Sequence, residues 1–120
     1  MRGRGRGMNM GLEKLAEKIA MLEFHQKLLL QMISGNKDKF NKLIIQKAVT
    51  EKELTVINEL CEKLSIELEE QKAEGFVHFH PLFEEFTDAI RHKLQPKETV
   101  HAMFDQGIFM PLMTEFKKYV

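Results

Sequence analysis

The chain has 120 residues, 43% of them hydrophobic, and its 18 lysines and arginines balance its 18 aspartates and glutamates. This length and composition predict one ordinary domain that can bury a core without disulfides or metals. The neutral balance gives no general attraction to nucleic acid or anionic lipid. No apolar run approaches the ~20 residues that a membrane span needs. We therefore expect a soluble protein, and a single cysteine without a secretory signal pattern favours the cytoplasm.

The first seven residues alternate arginine and glycine after a methionine, unlike the rest of the chain. A short Arg-Gly tail can contact RNA through charge and stacking. Arginine and glycine are also both written with purine-only codons, so a translated ribosome-binding site would read the same way. We favour this second interpretation. It makes residues 1–8 a disordered or mis-assigned head, places the native start at Met8 or Met10, and leaves residues 9–120 as a single helical domain.

A heptad pattern runs through the first part of the organised sequence. Residues recur there at alternating spacings of three and four, with one polar interruption; we call this set the seam, and its members are Leu12, Leu15, Ile19, Leu22, Gln26, Leu29 and Ile33. The pattern is typical of a coiled coil that packs its a and d positions against another helix. A second stripe, Met21, Phe24 and Leu28, predicts that the later half of this helix is buried on several sides.

Capping residues mark the next helices. An amphipathic segment over residues 38–49 is followed by Thr50-Glu51-Lys52-Glu53, which has the form of a capping box. The helix behind this box is expected to stop at Gly75, where a left-handed conformation suits glycine. Cys61 lies in the apolar stripe of that helix, and we interpret it as a core residue and not as a reactive thiol.

Proline and glycine divide the last third of the chain. Pro81 suits the first turn of a helix, and Pro96 is expected to close that helix. A further helix over residues 98–106 is expected to end at Gly107, and the last segment brings Leu112, Met113 and Phe116 to the core. No stretch alternates with period two, so no strand is predicted. The predicted fold class is all-α: a multihelical bundle of four to six helices with a long N-terminal heptad helix.

Residues spread over most of the chain carry a family resemblance. The run Gln71-Lys-Ala-Glu-Gly-Phe-Val77 is followed by Phe79, Leu82, Phe86, Lys93-Leu94, Glu98-Thr99, Ala102, Gln106-Gly107, Leu112-Met113 and Phe116. In these positions the chain resembles the YhaI family of small bacterial proteins. The resemblance implies a multihelical subunit in an intertwined homo-oligomer, specifically a trimer. It implies no activity, cofactor or catalytic residue.

Histidines are the best candidates for metal ligands. In an extended link, His78 and His80 would point the same way. Two imidazoles fall short of the three or four protein ligands that zinc normally takes. Glu98 and His101 form one Glu-x-x-His motif, whereas a di-metal carboxylate bundle needs two. We therefore predict no metal site, no cofactor and no catalytic residue.

Three classes of function remain open. The signals concern packing and assembly, which favours a non-enzymatic interaction or scaffold protein that assembles with itself and has no membrane partner. A nucleic-acid-associated regulator is the second hypothesis. It rests on the Arg-Gly head and on a basic stretch, Lys37, Lys39, Lys42 and Lys47. A metal-dependent enzyme is the third.

Overall fold

The computed structural model describes the backbone of residues 2–120 and the side chains of residues 10–120. Over this range the protein contains helices and no strand, which confirms the predicted all-α class and the long N-terminal helix. The helices are α1 (Arg2–Met32), α2 (Lys39–Gln46), α3 (Glu51–Ala73), α4 (His80–Ile90), α5 (Pro96–Gln106) and α6 (Met110–Phe116), followed by a 3-10 helix at Lys117–Tyr119. The predicted head, residues 1–8, lies outside the described side chains and stays a prediction.

The chain divides into two compact units, Met1–Ser34 and Gly35–Val120. The first unit contains α1. This helix carries the seam as far as Leu29, and Ile33 follows the last helical residue. The Ile33 N–H still donates to the Leu30 carbonyl at 3.3 Å, and Gly35 then turns the chain at a φ of 85°. The heptad pattern therefore lies on one continuous helix, apart from its final member.

The second unit is a helical bundle with its own core. Within it, α2 packs against α5, α3 packs against α4 and α6, and α5 packs against α6. The fully buried side chains come from all of these helices except α2, and include Ile57, Cys61, Leu64, Leu68, Phe86, Ile90, Val100, Met103, Leu112, Met113 and Phe116. Burying side chains of this size contributes ~1.5–3 kcal/mol each. These residues therefore supply most of the hydrophobic stabilisation of the second unit.

Both ends of α3 follow the sequence prediction. The Thr50 hydroxyl accepts from the Glu53 N–H at 3.2 Å, and the Glu53 carboxylate accepts from the Thr50 N–H at 2.9 Å, which completes the capping box. At the other end Gly75 has a φ of 93°. The Gly75 and Phe76 N–H groups donate back to carbonyls of the last turn, as in a Schellman motif. Local sequence therefore determines where this helix begins and ends.

Pro81 and Pro96 both lie in the first turn of a helix, although only Pro81 was predicted to do so. Pro81 lies in the first turn of α4, as predicted. The prediction that Pro96 closes this helix was wrong, because α4 ends at Ile90 and Pro96 begins α5. A proline at the first helical position loses no hydrogen bond, since its missing N–H would have had no partner inside the helix.

The C-terminal residues close onto the link between α3 and α4. The Phe79 N–H donates to the Tyr119 hydroxyl at 2.9 Å. Tyr119 also stacks on Phe83 at 5.4 Å between ring centroids, and Phe83 meets Phe116 edge to face at the same distance. Such pairs add ~0.5–1.5 kcal/mol each beyond their buried area. The last turn is therefore an integrated part of the bundle.

Candidate interaction surface

Helix α1 exposes its seam. The exposed fractions are 62% for Leu12, 55% for Leu15, 48% for Ile19, 61% for Leu22 and 61% for Leu29. Large contiguous apolar patches are uncommon on monomeric proteins and mark interaction sites where they occur. The predicted heptad positions are therefore exposed on α1, and their contact with a partner helix stays a prediction.

The second stripe of α1 is exposed as well, so the predicted burial of this helix on several sides does not occur within one subunit. Met21, Phe24 and Leu28 are 49%, 58% and 42% exposed. These side chains lie on a different face from the seam, because they occupy the c and f positions of the same heptads. The later half of α1 is therefore apolar on two faces.

Charged residues flank the seam at two positions. Lys18 directly precedes Ile19 and takes a g position, whereas Glu23 directly follows Leu22 and takes an e position. Both side chains are exposed. Charges at e and g are the ones that set partner choice and orientation in coiled coils. The seam therefore has an apolar centre and a charged edge.

The histidine link holds no assembled metal site. His80 Nδ1 lies 3.2 Å from a Glu84 carboxylate oxygen, and the His80 ring meets Tyr119 edge to face at 5.2 Å. His78 is exposed. Among residues 10–120, whose side chains are described, no three His, Cys, Asp or Glu residues are grouped so as to hold a metal ion.

Cys61 lies in the core, which confirms the interpretation of its apolar stripe. Its side chain is fully buried, and burial raises the pKa of the thiol to about 12. The thiolate is the reactive form of cysteine, and an apolar environment disfavours it. Cys61 therefore packs as a small apolar residue.

The basic stretch is partly neutralised by the second unit's own carboxylates. Lys39 Nζ lies 3.0 Å from a carboxylate oxygen of Asp105, and Lys47 Nζ lies 3.6 Å from one of Glu98. Between α2 and α5 there is an open cleft of about 390 Å³, to which Lys42 and His101 also contribute. Both acidic and basic groups line this cleft. Fewer lysines are left to contact phosphates, which weakens the case for nucleic acid.

One polar cluster was not foreseen from the sequence. Glu53, which caps α3, also accepts from Lys93 Nζ at 2.6 Å and lies 2.7 Å from His92 Nε2. Lys93 donates as well to the carbonyl of Ala48 at 2.6 Å. Ala48 has a left-handed φ of 54° after the end of α2. No local motif signals these contacts, since about 40 residues separate Glu53 from its two basic partners.

The molecule is thus an all-helical protein with an exposed heptad helix, and its described side chains form no metal centre. It belongs to the family described as protein of unknown function (DUF1878), whose model matches residues 12–120. The match covers the seam, the capping box and the whole bundle. It does not confirm the resemblance to the YhaI family. In the part of the chain that the structure describes, no helix combines the length and apolarity needed to cross a membrane.

Proposed function

We propose that the protein is a cytoplasmic, non-enzymatic interaction or scaffold protein that assembles as a homo-oligomer through the seam of α1. The exposure of five large apolar seam residues supports this proposal. Each is about half exposed, so covering all five stabilises an assembly by on the order of 5 kcal/mol per helix before association entropy is subtracted.

A second copy of the chain is the partner that best fits the seam. Heptad helices pack best against other heptad helices, because the a and d side chains of each fill the holes of the other. The formal net charge of zero means that copies do not repel one another strongly. The family resemblance implies a trimer, so we propose that the oligomer has three subunits.

Light scattering coupled to size exclusion tests this proposal on the full chain, whose subunit mass is 14.1 kDa. We expect a defined oligomer at tens of micromolar. The variant Ile19→Asp should run as a monomer, because it would bury a carboxylate in the seam. Ala20→Asp is the matched control, since it adds the same group one residue away at a b position and should leave the oligomer intact. A monomeric wild-type protein would contradict the proposal.

The second stripe supports the scaffold part of the proposal. In a coiled coil formed through the seam, Met21, Phe24 and Leu28 point away from the helix interface. They remain available to a further protein partner. Affinity capture from native cells, with the wild-type protein and the Phe24→Ser variant as the two baits, tests this. A partner that the wild-type protein captures should be lost with Phe24→Ser, while the Phe24→Ser oligomer persists. Equal recovery of every captured protein would contradict the role given to this stripe.

A further inference from the structure

We infer that the copies of α1 associate in parallel and in register, with Lys18 of each copy paired to Glu23 of the partner subunit. The inference rests on the proposed function and specifies the geometry of the same surface. It depends on the positions of charged and polar residues relative to the seam. A single arrangement satisfies all of them.

The charge pair follows from heptad geometry. Lys18 is at g and Glu23 is at e of the next heptad, five residues later. In a parallel coiled coil in register, each g residue faces the e residue five positions further along the neighbouring helix. Lys18 and Glu23 therefore come together between copies. Within one helix they do not, because side chains three or four residues apart are neighbours and those five apart are not.

Gln26 favours the same alignment. It occupies an a position, and in a parallel coil in register it lies in one layer with the equivalent glutamine of the partner subunit, where amides can hydrogen-bond to each other. In an antiparallel coil an a residue faces a d residue, and the seam has leucine at every d position, which are Leu15, Leu22 and Leu29. A leucine side chain offers an amide no hydrogen-bonding group, whereas a second glutamine does, which favours the parallel arrangement.

The alternatives also lack the ion pair. An antiparallel coil sets e against e and g against g. The e positions carry Ala16, Glu23 and Leu30, and the g positions carry Lys18, His25 and Met32, so no such combination joins a carboxylate to a cation. A parallel coil shifted by one heptad places Lys18 against Leu30. Register and direction are therefore set by the same residues.

Disulfide cross-linking of the full chain measures the direction. Two single variants, Leu12→Cys and Leu29→Cys, are distinguished by mass and mixed before mild oxidation. Position 12 is an a position and position 29 is a d position, so the two face each other in an antiparallel coil that overlaps over the whole seam. Cys61 does not interfere, because it is fully buried. We expect each variant to cross-link only with further copies of itself, since positions 12 and 29 are about 26 Å apart along a helix. Cross-links that join a Leu12→Cys chain to a Leu29→Cys chain would show an antiparallel coil and overturn the inference.

Charge exchange tests the ion pair. Lys18→Glu should weaken association roughly fivefold or more, and adding Glu23→Lys to the same chain should restore it, because the exchanged charges attract again. Lys14→Glu is the matched control at a c position and should leave association unchanged. Lys18→Glu removes an unfavourable lysine pair with Lys14 inside the helix, so weaker association cannot come from a weaker helix.

Sedimentation equilibrium separates the possible failures. A monomeric wild-type protein overturns both the proposed function and this inference. An oligomer with the antiparallel cross-link leaves the proposed function standing and overturns the direction. An oligomer whose affinity is the same with Lys18→Glu as without it overturns the pairing of Lys18 with Glu23.

Discussion

The ammonium nitrogen of Lys93 lies 2.6 Å from a carboxylate oxygen of Glu53, and this ion pair joins the turn after α4 to the first turn of α3. Glu53 also caps α3 and contacts His92, while Lys93 reaches the carbonyl of Ala48. The pair of Glu53 and Lys93 therefore connects three separate turns of the second unit.

We predict that Glu53 makes stability dependent on acidity. Hydrogen bonds from Lys93, Thr50 and His92, that of Lys93 foremost, lower the Glu53 pKa from 4.5 to about 2. Because the pKa is lower in the folded state, the stabilisation is complete above 4.5 and is lost as the pH falls from 4.5 towards 2. The melting temperature should fall in this window. In Glu53→Gln it should be lower at neutral pH and should depend less on pH.

The control for this prediction is Glu59→Gln, which removes an exposed carboxylate from the same helix without removing the cap. Circular dichroism melts of the three proteins over the acidic range give the comparison. If Glu53→Gln follows the wild-type curve at every pH, the contacts of Glu53 do not stabilise the fold.

A glycine at position 48 should stabilise the protein. Ala48 has a φ of 54°, a left-handed conformation that its Cβ disfavours. Ala48→Gly should raise the free energy of unfolding by ~0.5–1 kcal/mol, because glycine adopts this conformation readily. Urea denaturation measures the change. Ala89→Gly, inside α4, should act in the opposite direction by a similar amount; a loss of stability in both variants would contradict the prediction.

Replacing His78 or His80 should change stability only through the contacts of each side chain with other residues, because we predict that neither histidine binds a metal. His78→Ala should change the free energy of unfolding by less than ~0.5 kcal/mol, as exposed substitutions usually do. His80→Ala should cost ~0.5–1 kcal/mol, since it removes the edge-to-face contact with Tyr119. Elemental analysis checks the metal content. Zinc at one atom per subunit that disappears in the double variant would overturn the prediction.

Gln26→Leu should raise the melting temperature and broaden the distribution of oligomeric states. A polar residue at an a position selects one arrangement at some expense of stability, and leucine removes both effects. Gln31→Leu, at an f position of the same helix, should leave the number of subunits unchanged. Native mass spectrometry reports the distribution. A single unchanged state in Gln26→Leu would show that Gln26 does not select the assembly.

Local sequence patterns predict where helices begin and end better than they predict which residues of different helices are in contact. The box formed by Thr50 and Glu53 needs only four consecutive residues, so its pattern is visible in the sequence. The same local pattern says nothing about Lys93. Lys63 makes the same point. Glu59 lies four residues before it, a spacing that suits an ion pair on a helix. The shortest ion pair of Lys63 is instead with Glu85 at 3.0 Å. The packing of α3 against α4 decides that choice.

The period of the seam can be read from the sequence, whereas the contacts within the bundle cannot, for a physical reason. The seam depends on the period of one helix, and residues on one helical face share it wherever the helix lies. The exception is Ile33, because the helix ends at Met32 before the last heptad is complete. The left-handed conformation of Ala48 could not be predicted, since no sequence pattern signals a left-handed alanine.

The hydrogen bond between Phe79 and Tyr119 spans 40 residues and ties the last turn to the residue just before α4. Enzymatic trimming of the C-terminal residues would remove this acceptor along with the Tyr119 ring. The N–H of Phe79, which lies in a link between helices, would then no longer be protected by a hydrogen bond. Damage at one end of the chain would therefore appear as faster amide exchange near its middle.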